Sequence, residues 1–405
     1  MNANIAKLQS YPFARLNQLK AQVQPSNNLA PIRLEIGEPQ EQTPKFINDT
    51  IITNLQSLQA YPNTKGLPEL RQAIAKWLSW RFALPEKSLD SETQILPVNG
   101  TREALFAFAQ VIINTSNNAQ NTTAQPLVMM PNPFYQIYEG AALLAGAEPY
   151  FIPYIDKLAP DFAAVSPKDW QRCQLLYICS PGNPTGSVLD LATLQYIIKL
   201  ADQYDFVIAA DECYSEIYQD ESTPPPGLLQ AAATLGRTDY RRCVVFNSLS
   251  KRSNCPGLRS GFVAGDATIL QHFFLYRTYH GCAMSIYAQK ASTAAWSDER
   301  HVHTNRDLYR EKFAAVTTIL NPVLPVTIPA ATFYLWIETA ISDTEFAQNL
   351  FAYKNVTVLP GSFLARNVTG QPNPGHKRVR IALTPKLEVC IEAAQRIRHY
   401  IEIIS

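Results

Sequence analysis

Residues 243–261 read C-V-V-F-N-S-L-S-K-R-S-N-C-P-G-L-R-S-G. The run Val244–Asn247 is apolar and reads as a buried strand, and Lys251 follows it among small and polar residues. A lysine at a strand end can be partly desolvated and lose its proton, as an amine that forms a Schiff base must. Ser248 and Arg259 flank it and would bring a hydroxyl and a guanidinium to a phosphate. On its own the stretch leaves a plainer alternative open, because a loop lysine is usually a solvated charge.

Outward from this segment, Leu127–Met130, Leu175–Cys179, Phe206–Ala210 and Gly261–Ala264 read as further buried strands. They alternate with helical patterns at Leu67–Phe82, Thr101–Ile113, Tyr138–Ala145 and Leu191–Tyr204. Such alternation predicts an α/β fold, a mostly parallel sheet with helices on both faces, whose ligands collect beyond the strands' carboxyl ends. From about Asp307 the pattern changes to a long helix, two short strands (Ala331–Ile337 and Val379–Leu383) and a closing helix from Lys386 to Ile404. That predicts a smaller α+β unit. Residues 114–125, 220–227 and 366–377 read as surface loops.

The chain has 405 residues, long enough for two domains. Thirty-five basic against 34 acidic residues leave no electrostatic reason to expect nucleic acid or an anionic membrane as partner. Residues 1–10 lack the pattern of a signal peptide, and no run approaches the roughly eighteen apolar residues of a membrane span. The seven scattered cysteines, without a CxxC pair, fit reduced thiols in a cytoplasmic protein. His301 and His303 read as a solvated surface pair, so no metal is expected.

Four other motifs lie near predicted strand or helix ends. Asp211 closes V-I-A-A-D and could be a metal ligand, a helix cap or an acid. Beside a lysine on a neighbouring strand, it could also keep a pyridine nitrogen protonated. Glu212 competes as that acid, but strand alternation should turn its side chain away. Tyr214 could donate to a phenolate oxygen of the same ring, as could Asn183 within S-P-G-N-P-T-G, although that motif also reads as a tight turn alone. N-G-T-R-E-A-L at 99–105 offers the free N–H groups of a helix start to a phosphate, or is an ordinary helix start. Tyr135, in P-N-P-F-Y-Q-I-Y, offers an aromatic face that could equally be core packing.

Taken together and in this order, the motifs resemble the pyridoxal-5′-phosphate (PLP) dependent aminotransferases of fold type I, class I/II. The likeness runs from I-G-E-P at Ile36 to V-R-I-A-L at Val379. It implies a mostly parallel seven-stranded sheet in a large domain, 41–306, and a small domain built from 1–40 and 307–405. It implies that Lys251 is the Schiff-base lysine and Asp211 the pyridinium partner, with Asn183 and Tyr214 on the phenolate oxygen and Tyr135 stacked on the ring. Gly100, Thr101, Arg102, Ser248 and Arg259 would hold the phosphate. Arg380 would fork onto the substrate α-carboxylate, with Gly37 close by. Tyr61, in Y-P-N-T-K-G-L-P-E-L-R, resembles the tyrosine that reaches the neighbouring subunit's phosphate, which implies a homodimer. The run P-A-A-T-F at 329–333 departs from the family, where a glycine pair commonly precedes the aromatic residue, and no effect on the chemistry is expected.

Longer blocks narrow the likeness. Y-P-F-A-R-L, P-V-N-G-T-R-E-A-L-F-A-F-A-Q, A-D-E-C-Y-S-E-I-Y and L-Y-R-T-Y-H-G-C-A-M-S are similar to those of the succinyldiaminopimelate aminotransferases of bacterial lysine biosynthesis. Their substrate carries a second, distal carboxylate, for which Arg366 in P-G-S-F-L-A-R, ahead of a flexible loop, is the expected cation, with a solvated loop charge as its plainer alternative. Aminotransferases for aspartate, aromatic amino acids or unsuccinylated diaminopimelate, and a PLP-dependent β-lyase, remain as alternatives. A transcriptional regulator would need a DNA-binding domain ahead of Ile36, and a catalytically dead relative would not keep Lys251, Asp211, Asn183, Tyr214 and Arg380.

Overall fold

The computed structural model describes residues 1–116, 125–155, 159–368 and 370–404. Its main strands are β1 (Ile32–Arg33), β2 (Ile95–Val98), β3 (Leu127–Pro131), β4 (Glu148–Ile152), β5 (Cys173–Cys179), β6 (Val207–Asp211), β7 (Cys243–Ser248) and β8 (Gly261–Gly265), followed by β9 (Tyr334–Glu338), β10 (Val356–Thr357), β11 (Leu359–Pro360) and β12 (Arg378–Ala382). Seven of them form one sheet in the order β2-β8-β7-β6-β5-β3-β4. The run from β7 to β4 is parallel. Only β8 departs, pairing antiparallel with β2 on one side and β7 on the other.

Side-chain alternation assigns the two faces of this sheet. Leu176 and Ile178 of β5, with Cys243 and Val245 of β7, enter one apolar core. Leu175 and Tyr177, with Val244 and Phe246, enter the other. The helices Pro68–Arg81 and Leu191–Tyr204 bury Leu70, Ile74, Leu194 and Ile198 against the first face. Thr101–Ile112 and Ile137–Leu144 bury Leu105, Phe108, Tyr138 and Ala141 against the second. With both faces covered, the strands read as continuous apolar runs, and their polar ends stand out. The register sets those ends side by side: Cys179 opposite Asp211, and Ser248 opposite Gly261.

Both ends of the chain meet in a third core. Ile32 and Leu34 pack with Phe313, Val316 and Leu320, with Leu335 and Ile381, and with Ile397 and Tyr400 of the closing helix. A three-stranded antiparallel sheet, β9-β12-β11, supplies its floor, and β1 lies parallel to β10. The long helix runs over Arg300–Leu320, starting earlier than the sequence pattern predicts. Strand β9 begins only at Tyr334, after the predicted Ala331, because Thr332 takes the left-handed conformation (φ 79°) and breaks the extended run. Residues 220–227 form a loop as expected, whereas residues 117–124 of the first predicted loop lie outside the described residues. No helix among the described residues is long and apolar enough to cross a membrane.

Candidate active site

A cavity of about 610 Å³ opens where the ends of β6 and β7 meet the small sheet, and Asn183, Asp211, Lys251, Tyr334 and Arg380 all line it. Asp211, the last residue of β6, is 4% exposed. Its Oδ2 accepts from Tyr138 Oη at 2.8 Å and its Oδ1 from the Cys213 N–H at 3.3 Å. Burial pushes this carboxyl above its ordinary pKa, and the two donors only partly oppose that. A buried acid of this kind gains from a cation placed against it.

Lys251 sits in the single helical turn Leu249–Arg252 that follows β7. Its backbone carbonyl accepts from Asn305 Nδ2 at 3.1 Å, and Nζ donates to the carbonyl of Gly37. Burial lowers its pKa to about 8, so near neutral pH a useful fraction of the amine is unprotonated. A Cβ on Gly37 would lie 1.9 Å from Tyr334 Oη, so glycine alone allows this approach of chain and ring.

One end of the cavity is built for an anion. Gly100 (φ 81°) turns the chain into the helix Thr101–Ile112. A Cβ there would lie 2.2 Å from Arg259 Nη2. Arg259 donates to two neutral carbonyls, Pro256 O at 2.9 Å and Asn99 O at 3.4 Å, and has no acid partner among the described residues. Ser248 Oγ stands 2.9 Å from Ser250 Oγ. A helix N-terminus, two hydroxyls and an uncompensated guanidinium fit a phosphate.

The other end fits a carboxylate. Arg380, on β12, donates through Nη1 to Asn183 Oδ1 at 2.8 Å and through Nη2 to the Glu35 carbonyl at 2.6 Å. Its Nε is buried with no hydrogen-bond partner among the described residues. With Oδ1 taken, Nδ2 is the donor that Asn183 has left. Tyr214 Oη lies 2.9 Å from Tyr334 Oη. Arg102 Nε donates to Tyr135 Oη at 2.6 Å, and both residues line the cavity.

Two expected residues are elsewhere. Arg366 does not line the cavity: its guanidinium closes on Glu139, through Nε at 2.8 Å and Nη2 at 2.5 Å. A cation so neutralised is not the distal ligand predicted from its loop. Tyr61 is fully exposed and away from this chain's own cavity. His301 is also corrected: it is no solvated surface residue, because its ring bridges Asp298 Oδ1 (2.9 Å) and Ser253 Oγ (2.8 Å), and burial lowers its pKa to about 4.

Glu212 faces away from the cavity, accepting from the Leu228 N–H at 2.8 Å, as strand alternation predicts. Sequence reasoning missed Tyr138, Tyr334 and Cys213, whose thiol lies 3.1 Å from Thr101 Oγ1. Tyr138 carried a signal, since it follows Tyr135 by one helical turn. The position of Tyr334 depends on the small sheet meeting the large one, which no local pattern encodes.

Residues 31–397 match the family model described as aminotransferase class I and II. An aminotransferase of Neisseria meningitidis Z2491 superimposes with a TM-score of 0.93 at 48% identity, over 99% of this chain and 100% of that one. The LL-diaminopimelate aminotransferase of Nitratidesulfovibrio vulgaris (strain DP4) is 29% identical over 97% of each chain. A probable N-succinyldiaminopimelate aminotransferase of Thermus thermophilus is 26% identical with a TM-score of 0.82, over 96% of this chain and 99% of that one.

Proposed function

The chain belongs to the class I and II aminotransferases, which are PLP enzymes, and from that premise we propose that it transfers the amino group of glutamate to N-succinyl-2-amino-6-oxopimelate, giving N-succinyl-diaminopimelate. One observation carries this reading: apart from Arg259 at the phosphate end, two arginines, Arg380 and Arg102, line the cavity with no carboxylate partner among the described residues. The proposed substrate brings one carboxylate beside the reacting amine and another on its succinyl arm. Arg380 takes the first as a forked pair, and Arg102 replaces Arg366 as the cation for the second. The names of the Nitratidesulfovibrio and Thermus proteins support a diaminopimelate-type substrate. The first also favours a second reading, with unsuccinylated LL-diaminopimelate as substrate.

When bound, PLP supplies an electron sink for the pair left at the substrate Cα. Lys251 would hold it through its amine, and that amine is the base that would move a proton between the substrate Cα and the cofactor's C4′. Asp211 would keep the ring nitrogen protonated, Tyr214 and Asn183 would donate to the ring's phenolic oxygen, and Tyr135 would supply the aromatic face against the ring. Gly100, Thr101, Ser248 and Arg259 would hold the phosphate, whereas the Arg102 side chain, expected there, turns to Tyr135 Oη and is given the distal carboxylate instead; in a homodimer the exposed Tyr61 would serve the partner's site. A panel run with purified protein tests the substrate. Turnover of the succinylated keto acid well above that of free diaminopimelate, aspartate or aromatic amino acids is expected. A preference for free LL-diaminopimelate establishes the second reading, and pyruvate release from a β-substituted amino acid would make the chain a β-lyase.

A further inference from the structure

We propose that the Arg366–Glu139 pair is a positioning device that holds Tyr135 against the cofactor ring and Tyr138 against Asp211; this rests on the aminotransferase reading and not on the choice of substrate. The loop from Asn132 to Gln136 leaves β3 and enters the helix Ile137–Leu144 without a strand partner of its own. Apart from the Asn132 N–H, which donates to the Ile152 carbonyl of β4 at 3.0 Å, it is fixed from the other end of the chain. The Arg366 N–H donates to Asn132 Oδ1 at 3.0 Å, and Asn132 Nδ2 returns a bond to the Arg366 carbonyl at 2.9 Å. The Phe134 N–H donates to the Leu364 carbonyl at 3.0 Å.

The arginine head then passes the Phe134 ring, 5.1 Å from its centroid, and forks onto Glu139 in the first turn of the helix. Glu139 lies one residue beyond Tyr138 and one turn beyond Tyr135, whose rings meet edge to face at 5.7 Å. The fork therefore fixes the rotation of that first turn. The direction in which Tyr138 Oη points, toward Asp211 Oδ2, follows from it. Neither Arg366 nor Glu139 lines the cavity, so each would act through the tyrosines.

Arg366→Lys keeps the charge and loses the planar fork. The double variant E139Q/R366Q leaves no unpaired buried charge and can keep an amide–amide contact. Two readouts need no turnover: affinity of the apoenzyme for PLP, and deuterium exchange of the amides of residues 134–139 in the apoenzyme. Arg366→Lys is expected to weaken PLP affinity by about ten- to a hundredfold, the range that small misplacements reach. It should speed exchange selectively in those amides, and E139Q/R366Q should recover part of both, to a level between Arg366→Lys and wild type. The proposal is overturned if Arg366→Lys binds PLP like wild type while only melting earlier, if exchange rises across the whole protein, or if the double variant is no better than the single ones. Should Arg366→Lys not fold, near-wild-type or fully lost PLP affinity in E139Q/R366Q would overturn it, and intermediate affinity would support it. Wild-type protein that binds no PLP would instead sink the aminotransferase reading.

Discussion

Arg366 and Arg380 come from one stretch of chain, are both nearly buried, and do opposite things. Arg366 is closed on the Glu139 carboxylate and its Nη1 donates to the Ala365 carbonyl. Among the described residues, Arg380 donates only to a side-chain amide oxygen and a carbonyl, with one nitrogen orphaned. Burying a guanidinium costs several kcal/mol unless an anion compensates it. One arginine finds its anion inside the protein; the other has none among the described residues, which supports its proposed place at the substrate carboxylate. What sets the proposed carboxylate ligand apart is the missing partner, not burial or sequence context.

Methionine at each position should separate the two most widely. Arg380→Met should lose roughly 2–5 kcal/mol of transition-state binding for every α-amino acid substrate, while the apoenzyme melts no lower than wild type. Arg366→Met strands Glu139 and should cost about 3–5 kcal/mol of folding stability. Thermal melts of both apoenzymes, set beside kcat/KM for glutamate, read this directly. A destabilised Arg380→Met with intact kcat/KM would erase the contrast.

The adjacent acids Asp211 and Glu212 repeat it on a smaller scale. Both are buried, but Asp211 lines the cavity and Glu212 accepts from the Leu228 N–H, with its pKa raised by burial to about 8. Asp211→Asn should cut turnover by roughly a hundred- to a thousandfold, as loss of transition-state charge stabilisation does. Glu212→Gln should leave turnover unchanged. Equal losses in the two variants would show that burial, not the ring nitrogen, is what the pair shares.

Lys251 gives a pH test of the same cavity. Its folded pKa, about 8, lies below the ordinary lysine value of 10.5, so folding disfavours the protonated amine. Apoenzyme stability from this group is therefore present above 10.5 and falls as pH drops toward 8. PLP capture by the apoenzyme, which needs the neutral amine, should rise with pH around a midpoint near 8. A midpoint near 10.5 in the association rate would mean that the lysine is solvated.

What the sequence revealed follows from what is local. Buried parallel strands announce themselves as apolar runs, so β5, β6 and β7 and the polar residues at their ends were readable, Lys251 and Asp211 among them. The edge strand β4 was not, since E-P-Y-F-I mixes charge and aromatics on a half-covered edge. The helix Ala267–His280 was missed because its apolar residues are spread around its circumference instead of forming one stripe. Arg380 was placed by resemblance to a family motif. Arg366 was misassigned because its anion, Glu139, lies far off in sequence, and only the packing of the C-terminal segment onto the 132–136 loop brings them together.

Thr332 offers the smallest and finest test. It holds a left-handed φ of 79°, which a β-branched residue rarely adopts, and it stands just before Phe333 and Tyr334. The Tyr334 ring lies 4.3 Å from the Arg380 guanidinium carbon, so strain here could steer the carboxylate site. Opposing contributions limit the effect on stability. Relief of the conformation by glycine is worth about 1–3 kcal/mol. Against it stand the bond from the Tyr334 N–H to Thr332 Oγ1 at 3.1 Å, worth about 0.5–1.5 kcal/mol, and the entropy of glycine, about 0.5–1 kcal/mol. Thr332→Gly should therefore change stability by no more than about 2 kcal/mol in either direction, whereas Thr332→Ala, which loses the bond and keeps the strain, should cost about 1 kcal/mol. If the conformation serves only the fold, KM for glutamate stays at the wild-type value in both variants, which is the expected result. A rise in KM confined to Thr332→Gly would show that the strained turn sets Tyr334 beneath Arg380, and would extend the carboxylate site to a residue that never touches it.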